Sequence, residues 1–336
     1  MVRTHNQIRT GNTWVRFLSK LLVFTTLFLI FAGALVKSHE VGLSVPDWPT
    51  SYGYQMFFFP FSDMVGGIFY EHGHRLIATI VGMLTVVLAI SLYISDDRLW
   101  MKKIGFTALG FIIIQGIFGG LTVLFFLPTP VSVIHAVLAQ TFLIIIIFIA
   151  YGLSNERGIR IKAELTEGDD TLKNPVFLVT GLVFLQLTIG ALMRHTQSGL
   201  AITDFPLAGG YFFPPFNQAM LNTLQNIQFE SGLPLTTMNQ VLIHFLHRIM
   251  AVAVGCAVGW LSLKVFKKYK NNTKVFWNAF ALDITILIQI VLGAFTIWSA
   301  KEPLITSFHV VNGAVILGLS MLMVLRVSPA RLQGNY

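Results

Sequence analysis

Four histidines, His74, His135, His247 and His309, each lie a few residues inside an apolar stretch long enough to cross a bilayer. An imidazole in hydrocarbon is costly unless it faces a partner, a cavity or a metal. These four form two pairs with nearly the same internal spacing, one pair in each half of the chain. One histidine from each of two neighbouring helices, at equal depth, can hold a porphyrin iron from both faces, so the pattern reads as two axial-ligand pairs. Zinc or copper is the competing metal and would want further ligands nearby. His72 and His244 could serve, but they do not repeat between the halves.

One carboxylate breaks the symmetry. Glu71 lies three residues before His74, on the same face of a helix, while the position before His247 is His244. A carboxylate beside an iron ligand near the membrane boundary can accept and donate protons. The first half therefore reads as the reactive site, with Glu71, His74 and His135 as its working residues, and the second as an electron-transfer site. The plainer reading is an interfacial pair of Glu71 with Arg75. Arg75 and Arg248 each follow a histidine, and Lys37 and Arg194 end the preceding helices. These cations are placed to meet anionic propionates or to snorkel at the interface. Asp47 and Asp204, beside Pro or Thr and an aromatic ring, read as turn formers.

The elements that carry these residues are membrane helices. The chain is 54% hydrophobic and 11% charged, with a mean hydropathy of +0.71, which marks a polytopic membrane protein. Eight apolar stretches are long enough to span: 17–36, 66–94, 104–126, 131–153, 175–193, 240–263, 275–298 and 305–325. Their continuous apolarity selects helices over a barrel, giving an all-α fold. Eighteen of the 23 Lys and Arg fall on one side, which predicts cytoplasmic termini and makes the net charge of +8 a topology signal. Nucleic acid is not an expected partner. The first span runs directly into a loop that recurs later, so it is read as retained and not as a cleaved leader. The single cysteine, Cys256, excludes an intrachain disulfide and reads as a small packing residue.

The chain also repeats. Gly33-Ala34-Leu35-Val36-Lys37 and the loop through Pro46-Asp47-Trp48-Pro49 to Gly53-Tyr54 recur, 157 positions later, as Gly190-Ala191-Leu192-Met193-Arg194 and the loop through Asp204-Phe205-Pro206 to Gly210-Tyr211. Gln115, Gly119, Thr122 and His135 recur as Gln289, Gly293, Thr296 and His309. The expected organisation is two pseudo-symmetric four-helix bundles, residues 1–153 and 175–336, joined by a polar cytoplasmic linker at 154–174. Four spans per half give both halves one orientation.

Together, Gly33-Ala34, Gly42-Leu43, Pro46-Asp47-Trp48-Pro49, Glu71-His72-Gly73-His74-Arg75, Gln115, Gly119-Gly120-Leu121-Thr122 and His135 resemble the pattern of haem A synthases, and His247-Arg248, Gln289-Ile290, Gly293 and His309 extend the likeness over nearly all eight spans. The resemblance implies an oxidoreductase of a bacterial cytoplasmic membrane that converts the C8 methyl of haem O to the formyl of haem A. It implies haem b ligated by His247 and His309, and substrate haem O held or faced by His74 and His135 beside Glu71. A haem O synthase and an electron-transfer protein are the implied partners, and homo-oligomerisation is left open. Many members carry a cysteine pair in the first outer loop; here that loop reads Val45-Pro46-Asp47-Trp48-Pro49-Thr50-Ser51, which removes any mechanism needing a loop disulfide. A non-enzymatic di-haem cytochrome exchanging electrons with quinone, and a transporter, are the alternatives.

Overall fold

The computed structural model describes residues 12–162 and 170–328. Arg3, Arg9 and Arg331, both chain ends, and part of the expected linker lie outside the described residues. Ten α-helices carry the chain: α1 (Thr13–Ser38), α2 (Gly67–Ser95), α3 (Leu99–Leu124), α4 (Thr129–Gly152), α5 (Asn155–Lys162), α6 (Asp170–His195), α7 (Gln218–Glu230), α8 (Met238–Lys268), α9 (Thr273–Trp298) and α10 (Pro303–Val327). All except α5 and α7 are long and apolar enough to cross a membrane, so this is an all-α, eight-span membrane protein. α1, α6, α8 and α10 run two to five residues past their expected spans at both ends, as polar and basic end residues continue the turn at the interface, whereas α3 and α4 start earlier and stop one or two residues sooner than expected. α6 starts at Asp170, with Pro175 inside it.

Packing follows the repeat. α1, α2, α3 and α4 each touch two others and close a ring through α1 and α4; α6, α8, α9 and α10 close a second ring through α6 and α10. α1 and α4 meet α10, and α4 meets α6, across the seam between the rings. Arg194, at the end of α6, reaches over this seam and donates to the Ala34 carbonyl at 2.5 Å and Ser38 Oγ at 2.9 Å.

Each ring has its own apolar core, and each core is confined to one end. In the first, Val15, Leu18 and Leu22 meet Val81 to Leu92, Met101, Ala108 and Phe142 to Leu153. In the second, Leu172 to Val183 meet Val254 to Val265, Val275 to Leu282 and Ile316 to Val327. Along α2, α4, α8 and α10 the nearest core residues are Val81, Phe142, Val254 and Ile316. Each lies seven residues beyond the histidine of its helix, about two helical turns or roughly 10 Å. The histidine end of each ring is left outside the solid core.

The linker region is more structured than its composition suggests. α5 docks on α10: Glu156 accepts from Arg326 Nε at 2.9 Å and Nη2 at 3.1 Å, and Lys274 Nζ lies 3.4 Å away. Arg16 of α1 also donates to the Asn155 side chain. Burial pushes the Glu156 carboxyl up, but the hydrogen bonds and charges of Arg326 and Lys274 outweigh it and hold it below its ordinary 4.5. A carboxyl depressed on folding stabilises above its unfolded value, and that contribution fades as pH falls through the folded one. Glu156→Gln should therefore speed protease cleavage at residues 155–174 near pH 7, by about five- to thirtyfold for a loss of about 1–2 kcal/mol. The difference from the parent protein should shrink once the pH falls below 4.5. An unchanged cleavage rate at pH 7 would dissociate this cluster from the docking of α5.

Candidate functional site

The histidines sit on the diagonal helices of each ring: His74 and His135 on α2 and α4, His247 and His309 on α8 and α10. The other diagonal supplies a glycine to each. A Cβ built on Gly33 would lie 2.8 Å from His74 Cε1, one on Gly119 3.2 Å from His135 Cε1, one on Gly190 3.1 Å from His247 Cε1, and one on Gly293 3.2 Å from His309 Cε1. All four imidazoles thus rest in a notch that a single methyl would fill. This explains why Gly33 and Gly119 recur as Gly190 and Gly293: close approach of a ring to a helix backbone requires the absent side chain.

The second pair of imidazoles has the spacing of a ligand pair. A metal held at about 2.0–2.1 Å from two imidazole nitrogens, each about 1.1 Å from its ring centre, sets the centroids roughly 6.2–6.4 Å apart. The centroids of His247 and His309 are 6.4 Å apart, with the planes inclined by 61°. Nδ1 of His74, His135 and His309 is buried without a hydrogen-bond partner, as are Gln115 Oε1 and Gln186 Oε1. Buried polar atoms normally have partners, so this concentration of orphans marks a place for a bound group. No three His, Cys, Asp or Glu side chains converge on a point among the described residues, so the donor set suits a metal that brings its own equatorial ligands, as a porphyrin does.

Neither of the extra histidines extends a ligand set. His72 Nδ1 shares a hydrogen bond of 2.8 Å with Ser51 Oγ, and its ring lies 4.7 Å from that of Phe59. His244 Nδ1 accepts from the Ile202 amide at 3.3 Å. Both fasten loops.

The arginines do the same, in a repeated pattern. Arg75 donates to the carbonyls of Val45 at 2.7 Å, Asp47 at 2.7 Å and Thr50 at 3.0 Å. Arg248 donates to those of Ile202 at 3.3 Å, Asp204 at 2.8 Å and Leu207 at 2.7 Å, the equivalent positions 157 residues on. Read from the sequence as meeting propionates or snorkelling at the interface, these two guanidinium groups bind loop carbonyls. The loops they hold are built alike. Asp47 accepts from the amides of Tyr52 and Gly53, and Asp204 from those of Gly209 and Gly210, with bonds of 2.7–2.9 Å. Burial pushes the Asp47 carboxyl up, but its bonds from Gly53, Thr50 and Tyr52 win and hold it below the usual carboxylate range. Trp48, from the first loop, fills a notch over Gly120 of α3, where a Cβ would come within 2.5 Å of the indole.

Glu71 belongs to the same clamp. It is buried; Oε1 lies 2.6 Å from Arg75 Nη2, and Oε2 accepts from the Val45 amide at 2.8 Å. Its counterpart His244 receives the equivalent amide bond, from Ile202. The acid is therefore one turn from His74 and ion-paired to Arg75.

The sequence reasoning missed three side chains. Gln186 of α6 donates to the His247 carbonyl at 3.0 Å and approaches its ring nitrogen Nδ1 at 3.2 Å. Gln289 donates to the His309 carbonyl at 3.0 Å, approaches its ring Nε2 at 3.2 Å, and accepts from Asn312 at 2.7 Å. The pairing of Gln289 with Gln115 was visible, but its link to a histidine, and the roles of Gln186 and Asn312, were not. The signal was an amide in an apolar span where the other half carries leucine.

Sequence comparison agrees with this architecture. The family model described as cytochrome oxidase assembly protein, COX15-CtaA, matches residues 16–321. Proteins named heme A synthase are similar to this chain. One from Staphylococcus aureus is 21% identical over 320 residues, 92% of this chain and 94% of the relative. One from Halalkalibacterium halodurans is 22% identical over 290 residues, 84% and 87%.

Arg75→Leu removes three bonds to loop carbonyls and leaves Glu71 buried without its counter-charge. Breaking such a pair costs about 3–5 kcal/mol, so this variant should lower the unfolding temperature and expose residues 45–54 to protease. Arg248→Leu, which strands no acid, should cost less. Equal stability losses would argue against Glu71 as the source of the difference.

Proposed function

The chain belongs to the COX15-CtaA family of cytochrome oxidase assembly proteins, and from that premise we propose that it is a haem A synthase, oxidising the C8 methyl of haem O to a formyl group. The observation that carries the reading is the fourfold unit of an imidazole seated on a helical glycine, paired across each of two rings, with one pair at 6.4 Å. The relatives' names supply the chemistry. In this reading the first half, residues 1–153, takes haem O, and the second, residues 175–336, keeps haem b. The protein resides in a bacterial cytoplasmic membrane with both termini on the cytoplasmic side.

His247 and His309 are the residues that would hold haem b, which when bound supplies one-electron transfer. His74 and His135 face the substrate's iron and fix its position in the first ring. Oxidising a methyl group to a formyl with water as the oxygen source releases four protons and four electrons, the electrons leaving to the electron-transfer partner, and Glu71 is the carboxylate placed one turn from His74 to take up a proton. Arg75 and the Val45 amide hold that carboxylate in place, and the same arginine binds the loop that carries Trp48 over α3. The loop thereby closes one side of the ring to water, as a site for methyl oxidation requires.

The rival is a non-enzymatic di-haem cytochrome exchanging electrons with quinone. The shared amide bond of Glu71 and His244 favours it, since that bond gives the acid a structural task. Extraction of pigment from protein made in cells supplied with haem O separates the two: haem A is expected, and haem b alone would establish the carrier. Glu71→Gln, which keeps one acceptor oxygen for its two donors, the Val45 amide and Arg75, should still bind pigment but lower methyl oxidation by about 10²–10⁴-fold. Full turnover in that variant would remove the acid–base role. His247→Ala or His309→Ala should abolish the low-spin haem b spectrum of the purified protein; a spectrum matching that of the parent would exclude these ligands.

A further inference from the structure

The two rings treat their histidines differently. In the second, three amides converge on the pair. Asn312 donates to Gln289 Oε1, which settles the orientation of that amide and turns its NH2 toward His309. Asn312 is itself anchored by the Thr285 carbonyl at 2.9 Å. Gln186 supplies the matching contact on His247, to both its carbonyl and its ring. In the first ring the position of Gln186 is Leu29 and that of Asn312 is Leu138, by the same offsets that align the glycines and histidines. Neither leucine side chain can hydrogen-bond to a histidine. Gln115 is the one amide in common, and without an asparagine behind it its Oε1 is buried and unpartnered. Its NH2 stands 3.4 Å from His135 Nε2 and makes no bond to the His135 carbonyl.

We propose that Gln186 and the Asn312–Gln289 pair are positioning residues that lock the second histidine pair for a permanently held porphyrin, and that Leu29 and Leu138 leave the first pair unlocked so that its porphyrin can enter and leave. Side chains that orient a ligand before the metal arrives slow its loss, and removing them commonly costs about 10–100-fold in metal affinity. A site that must release its product gains from the opposite arrangement. This inference rests on the haem-binding reading above and assigns the asymmetry between the rings to four named positions.

The test measures haem loss from the intact purified protein to excess apomyoglobin, with the low-spin electron paramagnetic resonance signal recorded in parallel. Gln186→Leu and Asn312→Leu place in the second ring the residue that the first already uses. Each should speed loss of the low-spin haem by about 10–100-fold and broaden its signal. Leu29→Gln with Leu138→Asn should do the reverse, retaining porphyrin on the first ring through detergent washing that strips it from the parent protein. Loss rates within about twofold of the parent for both second-ring variants, with unchanged signals, would overturn the proposal. If those variants fail to fold, unchanged retention in Leu29→Gln/Leu138→Asn would overturn it equally. His247→Ala is the separate control. If its low-spin signal persists, the haem reading itself falls, whereas if the signal vanishes while Gln186→Leu behaves as parent, only the locking role does.

Discussion

An imidazole inside an apolar bundle needs room for its ring and partners for its nitrogens, and the rest of this fold is arranged around meeting both needs four times. Room comes from glycine on the adjacent helix, because a ring with its edge near 3 Å from a Cβ position leaves no space for one. Partners come unevenly: amides in the second ring, and one loosely held amide in the first. Once the four rings are seated, the lengths and tilts of the helices that carry them have little freedom, since each seat joins two neighbouring helices at a fixed level.

The outer loops answer a second constraint, that backbone carbonyls leaving a membrane helix must find donors. One arginine per half, placed one residue after the histidine, gathers three loop carbonyls and ties the loop to the helix that bears the ligand. Movement of either loop would therefore be felt one residue from a histidine. The second loop adds its own small core, in which Ile202, Ala208, Met220, Leu224 and Val241 meet beneath α7. The first has no such helix and relies on Trp48 and on the pairing of Glu71 with Arg75.

Much of this was legible in the sequence. The spans were, because hydrocarbon demands continuous apolar residues. So were the repeat, the turn-forming Asp47 and Asp204, and the neighbouring rings of His247 and His309. Several helix ends, as at Lys268 of α8, were read short because interfacial lysines and arginines continue a helix without looking apolar. α5 and α7 went unseen because one is held by an ion pair to a helix far along the chain and the other by burial of one face in a loop. The guanidinium contacts were hidden for a related reason: an arginine beside a histidine reads the same whether it meets a bound anion or three carbonyls of one loop. Gln186 and Asn312 needed the two halves compared at their differences, whereas repeats draw attention to their likenesses.

The confinement of each apolar core to the end away from the histidines has a consequence for the order of assembly. A bundle whose close-packed layers stop two turns short of its histidines can fold in the membrane from that closed base, with the arginine-held loops settling over the other end afterwards. On the haem-binding reading, building the scaffold and filling its two sites are then separable events.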